Sequence, residues 1–302
     1  MDVREGTVAF PLAGEEAETW YRVTGELRPG DSSTPAPLVV LHGGPGATHD
    51  YLLSLTDLAD GRAVVHYDQL GNGSSTHYPD RGADFWTVEL FVRELHNLVD
   101  ALGIADRHHI LGQSWGGFLG QEYALTHPPG LRALVLADTA ASFPDFVAEA
   151  NRLRALLPPE VEATLRLHEE AGTTADPGYM AACLVFYGRH LCRVDWPPEV
   201  AESFAWIERD PTVYHTMNGP SEFHVIGCIR NWQSKDRLGE IDVPTLLVSG
   251  RHDEATPALQ QVLLDGIPGS EWVCFEDSSH MPHVEERGRY MQVVAGWLAQ
   301  HD

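Results

Sequence analysis

Two kinds of apolar pattern alternate along the first part of the chain. Short unbroken runs at residues 37–41, 63–67, 108–111 and 131–137 lack the in-and-out alternation of a half-exposed strand, and predict strands buried on both faces of a parallel sheet. Between the second and third runs, Val88, Phe91, Val92, Leu95, Leu98, Val99 and Leu102 recur at the spacing of one helix face. Residues 50–58 and 115–126 are also compatible with helix. Ahead of these, extended segments at 7–12 and 19–27, separated by Ala13-Gly14-Glu15, predict an antiparallel hairpin at a sheet edge, followed by a loop at 28–35. Strands alternating with helices mean a doubly wound α/β fold.

That rhythm breaks at Ser142 and resumes at Val243. Residues 142–241 hold helical pieces punctuated by Pro-Pro and Asp-Pro, with Trp196, Trp206 and Trp232 among many aromatics. Their place straight after the fourth buried run predicts a helical cap inserted over the sheet's active edge, leaving 1–141 and 242–302 as the core. Strands at 244–249 and 271–275 return to the sheet. A last helix at 289–298 presents Tyr290, Val293, Val294, Trp297 and Leu298 on one face.

Charge changes the picture of partners. Against 44 acidic residues stand 20 basic ones, a net −24, and Lys235 is the sole lysine. Such a field repels nucleic acid and anionic membrane surfaces. No apolar run approaches bilayer length, and the first residues show no basic-then-apolar leader. Cys183, Cys192, Cys228 and Cys274 are scattered without a C-x-x-C pair, which reads as reduced thiols in a cytoplasmic protein.

The candidate chemistry centres on Gly112-Gln113-Ser114-Trp115-Gly116, preceded by an apolar run and followed by a helix-compatible stretch. That context makes the G-x-S-x-G pattern a nucleophile elbow, with Gly112, Gly116 and Gly117 allowing close strand-to-helix packing. A serine needs a base, and the base an acid to orient it. Both belong at the carboxyl ends of later strands. His280 and Asp253 hold those positions, in the chain order that an elbow nucleophile expects. Asp138 remains an alternative acid, and His283 with Glu285 an alternative use of this histidine cluster as metal ligands, though such a site lacks further ligands. Asp68 reads as a loop-stabilising carboxylate, His42 and His66 as structural. The tetrahedral intermediate needs two N–H donors: Trp115, next after the nucleophile, and the Gly43-Gly44 turn.

Four segments together resemble the proline iminopeptidase branch of the α/β-hydrolases: H-G-G-P-G at 42–46, D-Q-L-G-N-G-S-S at 68–75, G-Q-S-W-G-G at 112–117 and D-E-A-T-P at 253–257. Within that branch, D-W-P-P-E-V at 195–200 and M-N-G-P-S-E-F at 217–223 are similar to the tricorn-interacting aminopeptidase and to L-amino acid amidases. The resemblance implies the α/β-hydrolase fold and a serine exopeptidase acting on a small peptide or amino acid amide with a free amino terminus, without metal or cofactor. It maps the second oxyanion donor to Gly44, and the carboxylates that hold the α-ammonium to Glu222 and Glu254. A desolvated ammonium requires such charged acceptors. The chain departs from many relatives in carrying Leu70 where they have Arg, and in the Met281-Pro282-His283 that follows His280. Amidase, esterase and a non-catalytic binding protein stay open as rival readings.

Overall fold

The computed structural model describes residues 2–12 and 14–302, so Ala13 of the expected hairpin turn lies outside the described residues. Strands β1 (Val3–Leu12), β2 (Glu15–Thr24), β3 (Leu38–Leu41), β4 (Val64–Tyr67), β5 (His108–Gln113), β6 (Leu131–Ala137), β7 (Thr245–Gly250) and β8 (Glu271–Phe275) form one sheet. Their order is β1-β2-β4-β3-β5-β6-β7-β8. β1 pairs antiparallel with β2, and β2 with β4, while every pair from β4 onward runs parallel. Every residue of β3, β4, β5 and β7 is buried, which is why those runs do not alternate.

Helix α1 (Val88–Ala101) precedes β5 and α2 (Trp115–Ala124) follows it. Five α-helices stand between β6 and β7: α3 (Phe143–Arg154), α4 (Pro159–Ala171), α5 (Pro177–His190), α6 (Pro198–Arg209) and α7 (Thr212–Met217). After β7 come α8 (Pro257–Gly266), α9 (Pro282–Glu285) and α10 (Arg287–Leu298). Alternate residues of each central strand feed opposite cores. Val39, Leu41, Ile110 and Leu134 pack with Phe91, Leu95, Leu98 and Phe118 of α1 and α2. Leu38, Val40, Leu111 and Val135 pack with Tyr290, Val294 and Leu298 of α10. The Thr87 side chain caps α1 by accepting from Leu90 N, but burial decides that helix: Leu90, Phe91, Leu95, Leu98 and Val99 each contribute about 1.5–3 kcal/mol on leaving water.

The hairpin and the segment after β3 differ from expectation. β2 starts at Glu15 and ends at Thr24 because its ladder with β1 runs from Leu12↔Glu15 to Val3↔Thr24. Its inward positions are the small residues Ala17 and Thr19, both fully buried, so the acidic outward face hides the alternation. Residues 50–58 lie within a run of 3-10 turns, His49–Asp60, rather than an α-helix. In the insertion, the Pro-Pro and Asp-Pro pairs start helices rather than break them. Pro159, Pro177 and Pro198 sit in first turns, where a missing N–H costs nothing and a fixed φ suits the helix.

Two contacts bring the inserted helices onto the sheet's carboxyl edge. Thr48 N donates to Ser203 Oγ of α6 at 3.1 Å, and Trp232 Nε1 donates to Glu122 of α2 at 2.8 Å. Gly46 lies so close to Tyr214 of α7 that a Cβ there would stand 2.7 Å from the tyrosine backbone nitrogen. A side chain at position 46 therefore displaces the whole helix.

Candidate active site

Between β5 and α2 a single residue makes the turn: Ser114, at φ 55° and ψ −121°. A non-glycine residue in such a conformation costs about 1–3 kcal/mol, so its surroundings must hold it. Ser114 N donates to Ala137 O at 2.9 Å, and its carbonyl accepts from Thr139 Oγ1 at 2.9 Å and Gly117 N at 2.8 Å. A Cβ on Gly112 would lie 2.0 Å from Gly116 O, a backbone atom fixed by the helix. Gly112→Ala is therefore expected to destabilise the fold by about 3 kcal/mol or more, read as a lowered urea midpoint. A wild-type midpoint would refute this account of the turn.

Strand ends β7 and β8 supply the partners. His280 Nδ1 lies 2.6 Å from Asp253 Oδ1, and Asp253 Oδ1 also accepts from Ala255 N at 2.8 Å. The histidine is 3% exposed and the aspartate 1%. Burial works against a charge on His280, yet the Asp253 carboxylate, with Glu222 and Glu285 farther off, outweighs it and holds the imidazole above its usual value. Asp138, the alternative acid, is fully buried nearby but makes no hydrogen bond to the histidine; its Oδ1 accepts from Gly250 N at 3.2 Å.

Ser114 and His280 line one open cavity of about 430 Å³ together with Gly44, Glu222 and Glu254. Its remaining wall is largely apolar: Ala47, Leu191, Phe204, Ile207, Tyr214 and Met281. Glu254 is fully buried, and among the described residues neither of its carboxylate oxygens has a hydrogen-bond partner. Glu254 Oε1 lies 3.9 Å from His280 Nε2. Glu222 is partly buried and accepts from the Tyr214 hydroxyl at 2.5 Å. Burial raises both carboxyls above the usual range, and their proximity to each other, with Asp253 beyond, pushes Glu254 furthest. Two buried carboxylates without a cation are costly, and a cation between them removes that cost.

Gly44 lines this space, and Trp115 directly follows the cavity-lining Ser114. Gly43 N is committed to the Tyr51 hydroxyl at 2.7 Å, whereas neither Gly44 N nor Trp115 N donates to another group among the described residues. Trp115 opens α2, so its N–H also carries the positive end of the helix dipole.

A family model described as the alpha/beta hydrolase fold matches residues 36–287. The proline iminopeptidase of Lactobacillus helveticus is 38% identical over 308 residues, covering 100% of both chains. The chain belongs to the proline iminopeptidase family. Among solved structures, the Mycobacterium smegmatis proline iminopeptidase is 47% identical with a TM-score of 0.88, covering 99% of this chain and 98% of that one. VinJ is 51% identical with a TM-score of 0.93, covering 98% and 99%.

In this member of the proline iminopeptidase family, two polar residues near the serine had no role assigned from the sequence: Tyr51, which carried no signal, and Gln113, which stood in the elbow motif only as a variable position. Tyr51 receives Gly43 N and hydrogen-bonds Gln113, whose Nε2 donates to His280 O at 2.9 Å. This bridge ties the glycine turn, the elbow and the histidine loop together. Tyr51 lies in 3-10 turns that only the folded chain brings beside the elbow. Other candidates are occupied elsewhere. His283 pairs with Ser54 Oγ at 3.0 Å, and Glu285 accepts from Ser279 N at 2.8 Å and Arg193 N at 2.8 Å, so neither joins His280 in a ligand set. Asp68 accepts from His49 N and Ser74 N, both at 2.9 Å, as a loop-holding carboxylate would. His42 accepts from Gln69 N at 2.9 Å, and His66 bonds Leu52 O at 3.0 Å. Leu70 is buried in the core and does not line the cavity.

Proposed function

We propose that this chain is a serine aminopeptidase that hydrolyses the amide after a free N-terminal residue, proline or another small apolar one. The observation that carries the reading is Glu254, a buried carboxylate with both oxygens unpartnered, facing the same cavity as Ser114 and His280. An α-ammonium sits two bonds from the carbonyl that Ser114 attacks, so the anchor and the nucleophile must lie a few ångströms apart. The 3.9 Å between Glu254 and His280 Nε2 meets that demand.

In this mechanism Ser114 Oγ attacks the carbonyl carbon while His280 Nε2 takes its proton, and Asp253 stabilises the imidazolium. The N–H groups of Gly44 and Trp115 hold the developing oxyanion. His280 then gives the proton to the leaving amine, and water repeats the sequence on the acyl-enzyme. Glu222 and Glu254 hold the ammonium throughout. The segment 142–241 acts as the cap, supplying Glu222, Tyr214 and the apolar wall around the first side chain. The four cysteines are unpaired, which accords with work in the cytoplasm.

The test is a panel of Pro, Ala, Leu and Phe anilides, each beside its N-acetylated twin. Free-amine substrates turn over and acetylated ones do not; equal rates for the two would sink the exopeptidase reading and favour an esterase or general amidase. The pH profile follows from the same site. A protonated His280 accepts no proton from Ser114, so kcat/KM falls as pH drops through a value above the usual imidazole one. An acid limb below about 6.5 would contradict this.

A further inference from the structure

Beside Asp253 and His280 lies a second acid that the mechanism above does not use. Asp138 follows β6 at φ 51° and is fully buried. One carboxylate oxygen of Asp138, one of Asp253 and a ring nitrogen of His280 all lie within 4.8 Å of one another. Among the described residues, Asp138 Oδ2 and Asp253 Oδ2 are both buried without a hydrogen-bond partner. Two ionised carboxylates offer only acceptors, so two such groups buried this close repel and leave those oxygens unsatisfied. One proton between them satisfies both.

We propose that Asp138 is a positioning residue: an un-ionised carboxylic acid that donates its proton as a hydrogen bond to Asp253 Oδ2 and so fixes the carboxylate that orients His280. The proton belongs on Asp138 because Asp253 Oδ1 already accepts from His280 Nδ1 at 2.6 Å and from Ala255 N at 2.8 Å, whereas Asp138 accepts only the longer 3.2 Å bond from Gly250 N. Donors gather negative charge to the group they point at. Burial first, and then Asp253 beside it, hold the Asp138 carboxyl well above the usual aspartate value. The other titratable groups whose charges reach this carboxyl are Glu285 and the phenols of Tyr51 and Tyr290. Neither phenol is ionised at working pH, since burial raises both. The arrangement thus carries one net negative charge, on Asp253, facing the imidazole.

The inference rests on the assignment of Ser114, His280 and Asp253 as the triad, and not on the substrate. Its test is therefore the rate at which a fluorophosphonate modifies Ser114, which any serine hydrolase with this triad undergoes. Asp138→Asn keeps an acceptor for Gly250 N and a donor for Asp253, and tolerates the positive φ. Asp138→Gly removes both groups without backbone penalty. D138G is expected to react about tenfold to a hundredfold more slowly, the loss of one hydrogen bond to a charged group, while D138N stays within about threefold of wild type. The acid limb of the D138N profile should stay in place, because one neutral group replaces another. Were Asp138 ionised in the native enzyme, D138N would remove a negative charge and move that limb down by about one pH unit. In the infrared difference spectrum of wild type minus D138N at about pH 8, far above the usual aspartate value, the carbonyl stretch of one un-ionised acid should remain, since other buried acids such as Glu254 cancel. A displaced acid limb, a missing band or a D138G protein that reacts at the native rate each overturns the proposal. If D138G fails to fold, the D138N limb and the infrared band decide alone. Normal labelling with inactive anilides would sink the aminopeptidase reading and leave this one standing.

Discussion

Ser114→Ala loses about four to six orders of magnitude in kcat on every aminoacyl anilide, with residual turnover from the oxyanion donors and the carboxylate anchor alone. The size follows from the geometry: the other serine lining the cavity, Ser203, has its hydroxyl tied to the Thr48 backbone, and His280 activates nothing once the Ser114 hydroxyl is gone. The substitution removes one oxygen from a partly exposed position, so the fold should keep its urea midpoint. Substrate binding should survive as well, because Glu222 and Glu254 remain. Measurement of kcat by stopped assay, beside equilibrium binding of prolinamide to the variant, checks both halves. A variant retaining more than about a hundredth of native activity would mean that the reaction does not pass through Ser114.

The second large effect is expected at Glu254. Glu254→Gln keeps the shape and removes the charge, so kcat/KM on free-amine anilides should fall about thirtyfold to a few thousandfold, the usual 2–5 kcal/mol for truncating one partner of a buried charge pair. Most of the fall should appear in KM, since the ammonium is held in the ground state and the transition state alike. Glu222→Gln is expected to do less, because its carboxyl, unlike that of Glu254, is already hydrogen-bonded, to Tyr214. Labelling of Ser114 by a fluorophosphonate, which has no ammonium, should hardly change in E254Q. Loss of labelling together with peptidase activity would instead make Glu254 part of the support for His280, only 3.9 Å away.

How much of this was legible in the sequence depends on how local each feature is. Unbroken apolar runs located the parallel strands, because burial on both faces leaves no polar position to interrupt them. The order Ser114, Asp253, His280 followed from strand ends, since a doubly wound sheet presents those ends at one edge. The hairpin was harder: Ala17 and Thr19 are small, and the glutamates between them dominate the pattern. Pro158-Pro159, Asp176-Pro177 and Pro197-Pro198 read as breaks, though each opens a helix.

The sequence by itself determined the elbow, because strand, strained serine and helix are contiguous and Gly112 is required by the backbone of Gly116 four residues on, whereas Gly116 and Gly117 are required by Leu41 and Thr139, which only the folded sheet brings near. It also determined which residue types compete to serve that serine. Only the tertiary structure decided between them. Asp138 and Asp253 both follow buried strands, and the 2.6 Å approach of His280 to Asp253 is a matter of how β6, β7 and β8 lie side by side. The meeting of Glu222 with Glu254 and the bridge from Tyr51 through Gln113 to His280 join segments far apart in the chain, and no local pattern encodes a distance of that kind.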